Sequence, residues 1–223
     1  MTAEQIYLDT RRKERIGMPE AVLCGAKTVA QIEEILRQSR DEQRLLTRLP
    51  KEHYIQLSNA CRSKLDYDDE SQTAFWGELP KLESKARVGI ISAGTSDVPV
   101  AKECTRVLQF HGESSRQFID VGVAGLWRLE SCLDEIRDLP VLVVVAGMDA
   151  ALVSVLGGLV GNTIIAVPTS VGYGVASGGE CALKAILASC APGVCTVNID
   201  NGYGAACAAL RILNNSSMQK VSP

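Results

Sequence analysis

The feature that most constrains the fold is an alternation of short β-branched runs and longer helical runs in the second half of the chain. Residues 88–92, 116–120, 140–146, 163–167 and 194–199 have the composition of strands. The run at 140–146 is apolar throughout, which is typical of a strand buried on both faces. Helices are predicted after these strands at 98–110, 126–136, 150–160, 180–189 and 205–213. This order predicts a three-layer α/β fold, in which a parallel sheet carries helices on both faces.

The first half of the chain has a different character, because it holds most of the charged side chains. Thr28 precedes an amphipathic run in which Ile32, Ile35 and Leu36 share one face, so we expect a helix that Thr28 caps. Residues 66–71 are predicted to form a charge-rich loop, and residues 77–85 a linker. The predicted organisation is a small, mostly helical N-terminal region at 1–86, a catalytic domain at 87–214 and a tail at 215–223.

Composition narrows the class of function. Hydrophobic residues make up 46% of the 223 residues, so the chain can bury a sizeable core. The formal net charge of −3 gives no basic bias, which disfavours a nucleic-acid partner and favours small molecules. The longest apolar stretch, 141–161, is interrupted by glycines and an aspartate, and no secretory leader is evident. We therefore expect a soluble, cytoplasmic protein with no membrane partner.

The cysteines and histidines do not suggest a disulfide framework or a zinc site. Eight cysteines are spread along the chain without a close pair, and a chain of this length does not need covalent cross-links. The two histidines, His53 and His111, are isolated from each other and from any cysteine pair. We expect reduced thiols and no protein-built metal centre.

Ligands of parallel sheets bind at the carboxyl ends of strands, so the loops that follow the strands are the candidate site. The loop at 92–97 can hold a phosphate or a ribose, although capping of the next helix explains the same residues. Glycine-bearing loops also follow the later strands at 146–150, 168–174 and 200–204. Asp149 and Asp200 are candidate acids or bases that the residues alone do not rank. Composition likewise does not single out Cys190 among the eight thiols.

Several segments together resemble a known family. They read Gly-Ile-Ile-Ser-Ala-Gly-Thr-Ser-Asp at 89–97, Pro-Thr-Ser-Val-Gly-Tyr-Gly at 168–174, Ser-Cys-Ala-Pro-Gly at 189–193 and Asn-Ile-Asp-Asn-Gly-Tyr-Gly-Ala at 198–205. With the leader Asp-Thr-Arg-Arg-Lys-Glu-Arg-Ile-Gly at 9–17, they closely resemble the LarB family of nickel-pincer cofactor biosynthesis. That family shares a domain with the purine-pathway carboxylase and mutase PurE. The resemblance covers nearly the whole chain and implies a PurE-like, flavodoxin-like sheet.

The resemblance implies a specific reaction. The substrate would be nicotinic acid adenine dinucleotide, whose pyridinium ring is carboxylated with CO2 before the phosphoanhydride is cleaved to release AMP. The product would be pyridinium-3,5-biscarboxylic acid mononucleotide. In the family mechanism a cysteine thiolate adds to the ring and makes it enamine-like, which is covalent catalysis. The motif at 189–193 assigns that role to Cys190.

The resemblance also implies which residues bind substrate. Asp149 is the candidate base, and Glu180 is the alternative. The leader arginines Arg12 and Arg15 are expected to clamp a carboxylate or pyrophosphate, or else to form surface ion pairs. Mg²⁺ is expected as a cofactor, held mainly by the substrate phosphates. The remaining binding residues implied by the matching loops are Ser92, Gly94, Thr95, Ser96, Asp97, Gly122, Gly147, Met148, Pro168, Thr169, Ser170, Gly172, Gly174, Asp200 and Asn201.

One departure from the family pattern leaves alternatives open. Trp127 stands where we expect a histidine, so it signals either altered catalysis or a tolerated packing change. The alternatives are PurE-like chemistry on aminoimidazole ribonucleotide and a divergent nucleotide-binding protein without catalysis. PurE-type domains assemble, and the small-residue helix predicted at 150–160 suits close packing, so we expect a homo-oligomer, a dimer or an octamer.

Overall fold

The computed structural model describes residues 6–39 and 42–218, and the chain divides into two compact units. The N-terminal unit comprises Met1–Lys81 together with Gln109–Gly112. The C-terminal unit comprises Leu82–Leu108 and Glu113–Pro223.

The N-terminal unit is built on a four-stranded mixed sheet. Its strand order is β1-β2-β4-β3, in which β1 and β2 are parallel and the other two pairs are antiparallel. Residues from both helices and strands form its apolar core, among them Ile32, Leu46 and Trp76. Its elements are α1 (Arg12–Ile16), β1 (Ala21–Leu23), α2 (Val29–Gln38), β2 (Arg44–Thr47), α3 (Lys51–Gln56), α4 (Asn59–Arg62), β3 (Leu65–Asp68) and β4 (Thr73–Trp76).

The predicted capped helix is present as α2. Thr28 Oγ1 accepts a hydrogen bond from the backbone N–H of Gln31, and the Gln31 side-chain carbonyl accepts one from the backbone N–H of Thr28. This reciprocal pair satisfies two donors that a helix start leaves without a partner. Ile32, Ile35 and Leu36 are buried, as the amphipathic pattern predicts.

The expected small N-terminal region contains a sheet that the sequence analysis did not predict. The interpretation of 66–71 as a charge-rich loop was wrong for its first half, because Leu65–Asp68 is strand β3 and pairs with β4. Leu65 is buried and Tyr67 stacks on Tyr54 with ring centroids 4.0 Å apart, while Asp66 is exposed. The alternation of apolar and acidic residues is therefore that of a half-buried strand.

The C-terminal unit confirms the predicted α/β architecture. Its five strands are all parallel, in the order β6-β5-β7-β8-β9, and helices flank the sheet. Strands β5 and β7 are buried along their whole length. The elements are β5 (Val88–Ser92), α5 (Val98–Phe110), β6 (Ser115–Phe118), α6 (Leu126–Arg137), β7 (Val141–Ala146), α7 (Ala151–Leu159), β8 (Thr163–Pro168), α8 (Glu180–Leu187), β9 (Cys195–Thr196) and α9 (Gly202–Met218).

Two boundaries at the end of the chain differ from the prediction. Strand β9 spans two residues rather than 194–199, although Val197 N–H still donates to the Ala166 carbonyl of β8 at 3.1 Å. Helix α9 begins at Gly202 and continues to Met218, so the tail predicted at 215–223 starts inside this helix. Residues 219–223 lie outside the described residues. Because all five strands are parallel, their carboxyl ends meet at one edge of the sheet, where the predicted binding loops also lie.

Candidate active site

A cavity of about 260 Å³ opens at the carboxyl ends of the strands. Loops that follow β5, β6 and β7 form most of its wall, and the loop after β8 adds Val171. Seven of the predicted site residues meet here: Gly94, Ser96, Asp97, Gly122, Gly147, Met148 and Asp149. The other lining residues are Ala93, Val123, Ala124, Arg128, Ala146, Ala150, Ala151 and Leu152.

Asp97 ties the strand-end loops together. Its Oδ1 accepts a hydrogen bond from Thr169 Oγ1 at 2.7 Å, across 72 residues of sequence, and its Oδ2 accepts one from the Gly94 N–H at 2.9 Å. The carboxylate is 3% exposed, and burial raises the pKa of Asp97 above its usual value, while the Thr169 hydroxyl and the backbone N–H groups of Gly94 and Gly147 oppose that rise. Since protein donors engage both oxygens, this geometry favours a positioning role for Asp97 over a direct ribose contact.

The loop after β7 is held in an unusual backbone conformation. Met148 and Ala150 both have positive φ angles, of 55° and 49°, which cost free energy in residues other than glycine. The Met148 N–H donates to the Val171 carbonyl at 2.8 Å, so this loop is fastened to the loop after β8. At Gly147 an added Cβ would lie 2.3 Å from the Val171 carbonyl oxygen, so the approach of the two loops requires glycine.

Arg128 is a cavity residue that the sequence analysis missed. It lies in the first turn of α6 and forms an ion pair with Asp120, which follows β6. The guanidinium packs over Gly125, where an added Cβ would be 2.8 Å from Nε. In the sequence the neighbouring Trp127 stands out instead, because it departs from the family pattern. The signal available in the sequence was an arginine just after a strand-end loop, a position suited to an anionic ligand.

Asp149 places an exposed carboxylate in the cavity wall. Its Oδ1 accepts a hydrogen bond from the Ala151 N–H at 3.3 Å, at the start of α7. Ser96 and Met148 line the same cavity, so an acidic group, a hydroxyl and a flexible thioether belong to one cavity wall. This set can bind a small polar ligand and accept a proton from it.

The loops after β8 and β9 reach the same edge of the sheet without lining this cavity, apart from Val171. Pro168 is the last residue of β8, and its carbonyl accepts a hydrogen bond from the Asp200 N–H at 2.9 Å. The Ser170 N–H donates to Asp200 Oδ1 at 2.8 Å, and Asn201 Oδ1 accepts from the Gly204 N–H at 2.8 Å. The other predicted residues of the strand-end loops that lie outside the lining are Ser92, Thr95, Thr169, Gly172 and Gly174, of which Ser92 and Thr169 are fully buried.

The two remaining candidate catalytic residues lie elsewhere. Glu180 begins α8 and forms an ion pair with Lys184 at 2.7 Å, on a separate cleft of about 630 Å³. Cys190 is exposed and lies beyond the end of α8, in the turn before β9. Helix α8 starts at the carboxyl-end edge and runs back along the sheet, so this turn lies towards the opposite edge. The neighbouring Ser189 contacts Ser154 on α7, with 2.7 Å between their Oγ atoms.

The leader arginines belong to the N-terminal unit. Arg15 forms an ion pair with Asp9, and the hydrogen bond between these groups holds the pKa of Asp9 below its usual value. Arg12 has a buried Nε with no hydrogen-bond partner. Arg15 thus forms an ion pair, as one of the two alternatives from the sequence predicts. The role of Arg12 and Arg15 in substrate binding stays a prediction.

In the parts of the chain that the structure describes, no three His, Cys, Asp or Glu side chains are grouped so that they could hold a metal ion. Over the same residues, none of the helices combines the length and the apolar character that crossing a bilayer requires.

Comparison with known proteins identifies the class to which this protein belongs. Residues 87–222, which include the five-stranded parallel sheet, match the AIR carboxylase family model, so this domain is of the carboxylase and mutase type. Residues 2–78 match the LarB/PurE-like N-terminal domain. The chain belongs to the LarB family, which combines these two domains. An uncharacterized protein of Methanocaldococcus jannaschii is 34% identical over 211 residues, covering 91% of this chain and 81% of that protein.

Proposed function

We propose that this protein carboxylates the pyridinium ring of nicotinic acid adenine dinucleotide with CO2 and hydrolyses its phosphoanhydride. The products are AMP and pyridinium-3,5-biscarboxylic acid mononucleotide. The observation that carries the proposal is the match to both family models, since the AIR carboxylase domain alone also fits a purine-pathway substrate. The N-terminal domain favours the LarB-type reaction over that alternative.

The cavity supplies a binding site for an anionic group of this substrate. Arg128 carries its charge into the cavity wall, and Asp120 orients the guanidinium. An arginine in a fixed orientation binds phosphate or carboxylate through two parallel hydrogen bonds. The Ser96 hydroxyl lines the same volume and adds a neutral donor. We assign the phosphate next to the pyridinium ribose to this position.

Asp149 is the proton acceptor in this proposal. After the ring carbon has bonded to CO2, the proton on that carbon must leave before the pyridinium can re-form. The Asp149 carboxylate lines the cavity, whereas Glu180 lies on another cleft and is engaged by Lys184. Asp149→Asn should lower turnover by about 100-fold, the effect of losing a general base. Glu180→Gln is the matched control and should leave turnover within about twofold.

Cys190 is the nucleophile in this proposal. Its thiolate adds to the pyridinium ring and forms a C–S bond, and the resulting neutral enamine attacks CO2. Loss of the ring proton to Asp149 and expulsion of the thiolate then restore the aromatic pyridinium. In one chain Cys190 does not line the cavity, so we propose a homo-oligomer in which the 189–193 turn of one subunit faces the cavity of another. A dimer or an octamer satisfies this requirement.

Asp97 acts indirectly in the proposed reaction. By joining Thr169 to Gly94, it holds the walls of the cavity at a fixed separation. Mg²⁺, where it assists hydrolysis of the anhydride, fits only as an ion bound by the substrate phosphates and water, because the described residues offer no cluster of three ligands. Such an ion would supply charge neutralisation at the leaving phosphate.

The proposal is tested by incubating the protein with nicotinic acid adenine dinucleotide, bicarbonate and Mg²⁺. We expect AMP and a mononucleotide heavier by one CO2. Cys190→Ala should abolish the carboxylated product, whereas Cys195→Ala, which removes another exposed thiol, should retain it. Turnover of aminoimidazole ribonucleotide that survives Cys190→Ala would contradict the proposal and support the PurE-like alternative. Saturable dinucleotide binding without any product would support the other alternative, a nucleotide-binding protein without catalysis.

The shared-site arrangement has its own test. Cys190→Ala and Arg128→Ala subunits, each inactive alone, are co-expressed and purified as mixed oligomers. If one subunit provides the thiol and another the cavity, part of the activity returns in the mixture. Mixed oligomers that stay inactive would show that both residues act within a single chain.

A further inference from the structure

Trp127 is a large aromatic side chain left in water. It lies in the first turn of α6 and is 70% exposed, whereas Trp76, in the core of the N-terminal unit, is 7% exposed. An exposed indole forgoes the free energy that burial of its surface would provide. Trp127 therefore packs little against its own chain, and in the single chain its indole is open to solvent.

The position of Trp127 in the chain places it beside the strand-end cavity. Val123 and Ala124 precede it and Arg128 follows it, and all three line the cavity. The ion pair with Asp120 fixes Arg128 in the wall. Trp127 is itself absent from the lining, so its indole lies outside the cavity, and Trp127 directly precedes in sequence the arginine that we assign to a phosphate.

The size of the cavity leaves part of a dinucleotide outside. Pockets that enclose a drug-sized ligand have volumes of roughly 300–1,000 Å³, and this cavity of about 260 Å³ is smaller. A dinucleotide has two ring systems joined through a pyrophosphate. The proposed reaction uses Asp149, which lines the cavity, so we assign the pyridinium ring to the cavity. The adenine ring, which takes no part in forming the new bond, is left at the rim.

Resting on the proposed function, we propose that Trp127 stacks against the adenine ring of the dinucleotide. The order along the substrate then matches the order in the structure: pyridinium in the cavity, phosphate at Arg128 and adenine on the indole next to it. Stacking of a base on an aromatic side chain stabilises the complex. Loss of this stacking weakens binding by roughly tenfold. Trp127 thereby selects a substrate with an adenylate leaving group over a mononucleotide.

Tryptophan fluorescence tests this inference without relying on catalysis, because Trp76 is buried in the other unit and Trp127 is the exposed fluorophore. The probes are AMP, nicotinic acid mononucleotide and the dinucleotide. We expect AMP and the dinucleotide to quench the emission, and we expect little response to the mononucleotide. In Trp127→Phe this quenching should disappear, since the buried Trp76 does not sense the ligand.

Affinities measured by calorimetry complete the test. Trp127→Ala should weaken binding of AMP about tenfold, and Trp127→Phe, which keeps an aromatic face, should restore most of that affinity. Affinity for nicotinic acid mononucleotide should not change. For the dinucleotide, Trp127→Ala should raise KM and leave kcat nearly intact, because stacking binds the ground state and the transition state equally. Ile55→Ala, which removes an exposed side chain from the N-terminal unit, is the control and should change nothing.

Three results would overturn the inference. They are failure of AMP to bind the wild-type protein at millimolar concentration, equal AMP affinity in wild type and Trp127→Ala, and an unliganded Trp127 emission that is blue-shifted and shielded from acrylamide. The last would show that a second copy of the chain covers the indole. If carboxylation is not observed but the AMP results hold, the proposed reaction fails and the stacking site stands.

Discussion

Two polar contacts, one in each unit of this protein, span very different distances along the sequence. In the N-terminal unit, the capping pair joins Thr28 to Gln31, three residues away in the sequence. In the C-terminal unit, the central contact of the site joins Asp97 to Thr169, which is 72 residues away. A local contact stabilises one element, but a long-range contact fixes the distance between loops. The comparison teaches that a parallel sheet builds its site from contacts that no single segment contains.

Strand direction accounts for this difference. The mixed sheet of the N-terminal unit includes antiparallel pairs, so its strand ends and turns are distributed over both edges. The five parallel strands of the C-terminal unit bring all their carboxyl ends to one edge. Four non-glycine residues with positive φ follow these strands: Asp120, Met148, Ala150 and Asp200. Backbone strain therefore collects where the loops converge.

The largest effect is expected from removing the long-range contact. Asp97→Ala leaves the buried Thr169 hydroxyl and the Gly94 N–H without their acceptor, so the free energy of unfolding should fall by about 2–4 kcal/mol. Urea unfolding followed by circular dichroism measures this change. Glu130→Ala, at an exposed position on α6, is the control and should stay within about 0.5 kcal/mol. Equal stability of both variants would show that Asp97 is not a structural tie.

The close approach of two loops gives the next effect. In Gly147→Ala the new methyl group meets the Val171 carbonyl oxygen, so the loops must separate and stability should fall by about 2–3 kcal/mol. Gly158→Ala is the matched control, because nothing lies within 4 Å of its added Cβ in helix α7. It should be neutral or stabilising by up to about 1 kcal/mol. Thermal unfolding of the two variants measures this difference in stability. A Gly147→Ala protein as stable as the wild type would contradict the prediction.

A half-buried histidine makes the N-terminal unit sensitive to acid. Burial, assisted by the positive charge of Lys13, lowers the pKa of His111 to about 4 from an ordinary value of 6.5. Between these values the unfolded chain binds more protons than the folded one, so stability should decline as pH falls from 6.5 to 4. The full loss is roughly 2–3 kcal/mol. His111→Gln should flatten this slope in urea titrations at pH 7, 5.5 and 4; an unchanged slope would assign the acid sensitivity elsewhere.

The smallest effect is expected from the local contact. Thr28→Ala removes the hydroxyl that accepts from the Gln31 N–H, and loss of such a cap costs about 1 kcal/mol. Thr28→Ser keeps the hydroxyl and should restore most of the stability. Chemical denaturation compares the two variants. A loss as large as that of Asp97→Ala would break the proposed distinction between local and long-range contacts.

Much of the C-terminal fold could be predicted, because its strands are marked by residues close in sequence. The runs at 88–92 and 141–146 are β-branched and apolar, and both are buried strands. The sequence did not predict strand β3, because its acidic residues are typical of a loop. Only its pairing with β4 identifies the alternation of apolar and acidic residues as that of a strand. The strand predicted at 194–199 is longer than the observed β9, because an apolar run does not indicate where pairing with the neighbouring strand ends.

By itself the sequence determined which segments of the C-terminal unit become strands and helices, where α2 begins and which loops meet at the strand ends, since these depend on local propensity and on the rule that parallel strands share one direction. The tertiary structure decided which side chains share the cavity. It brought Asp97 to Thr169 and Arg128 into the wall, and it left Glu180 and Cys190 outside. The physical reason is that chain crossovers set the distances between loops, and no local interaction encodes those distances.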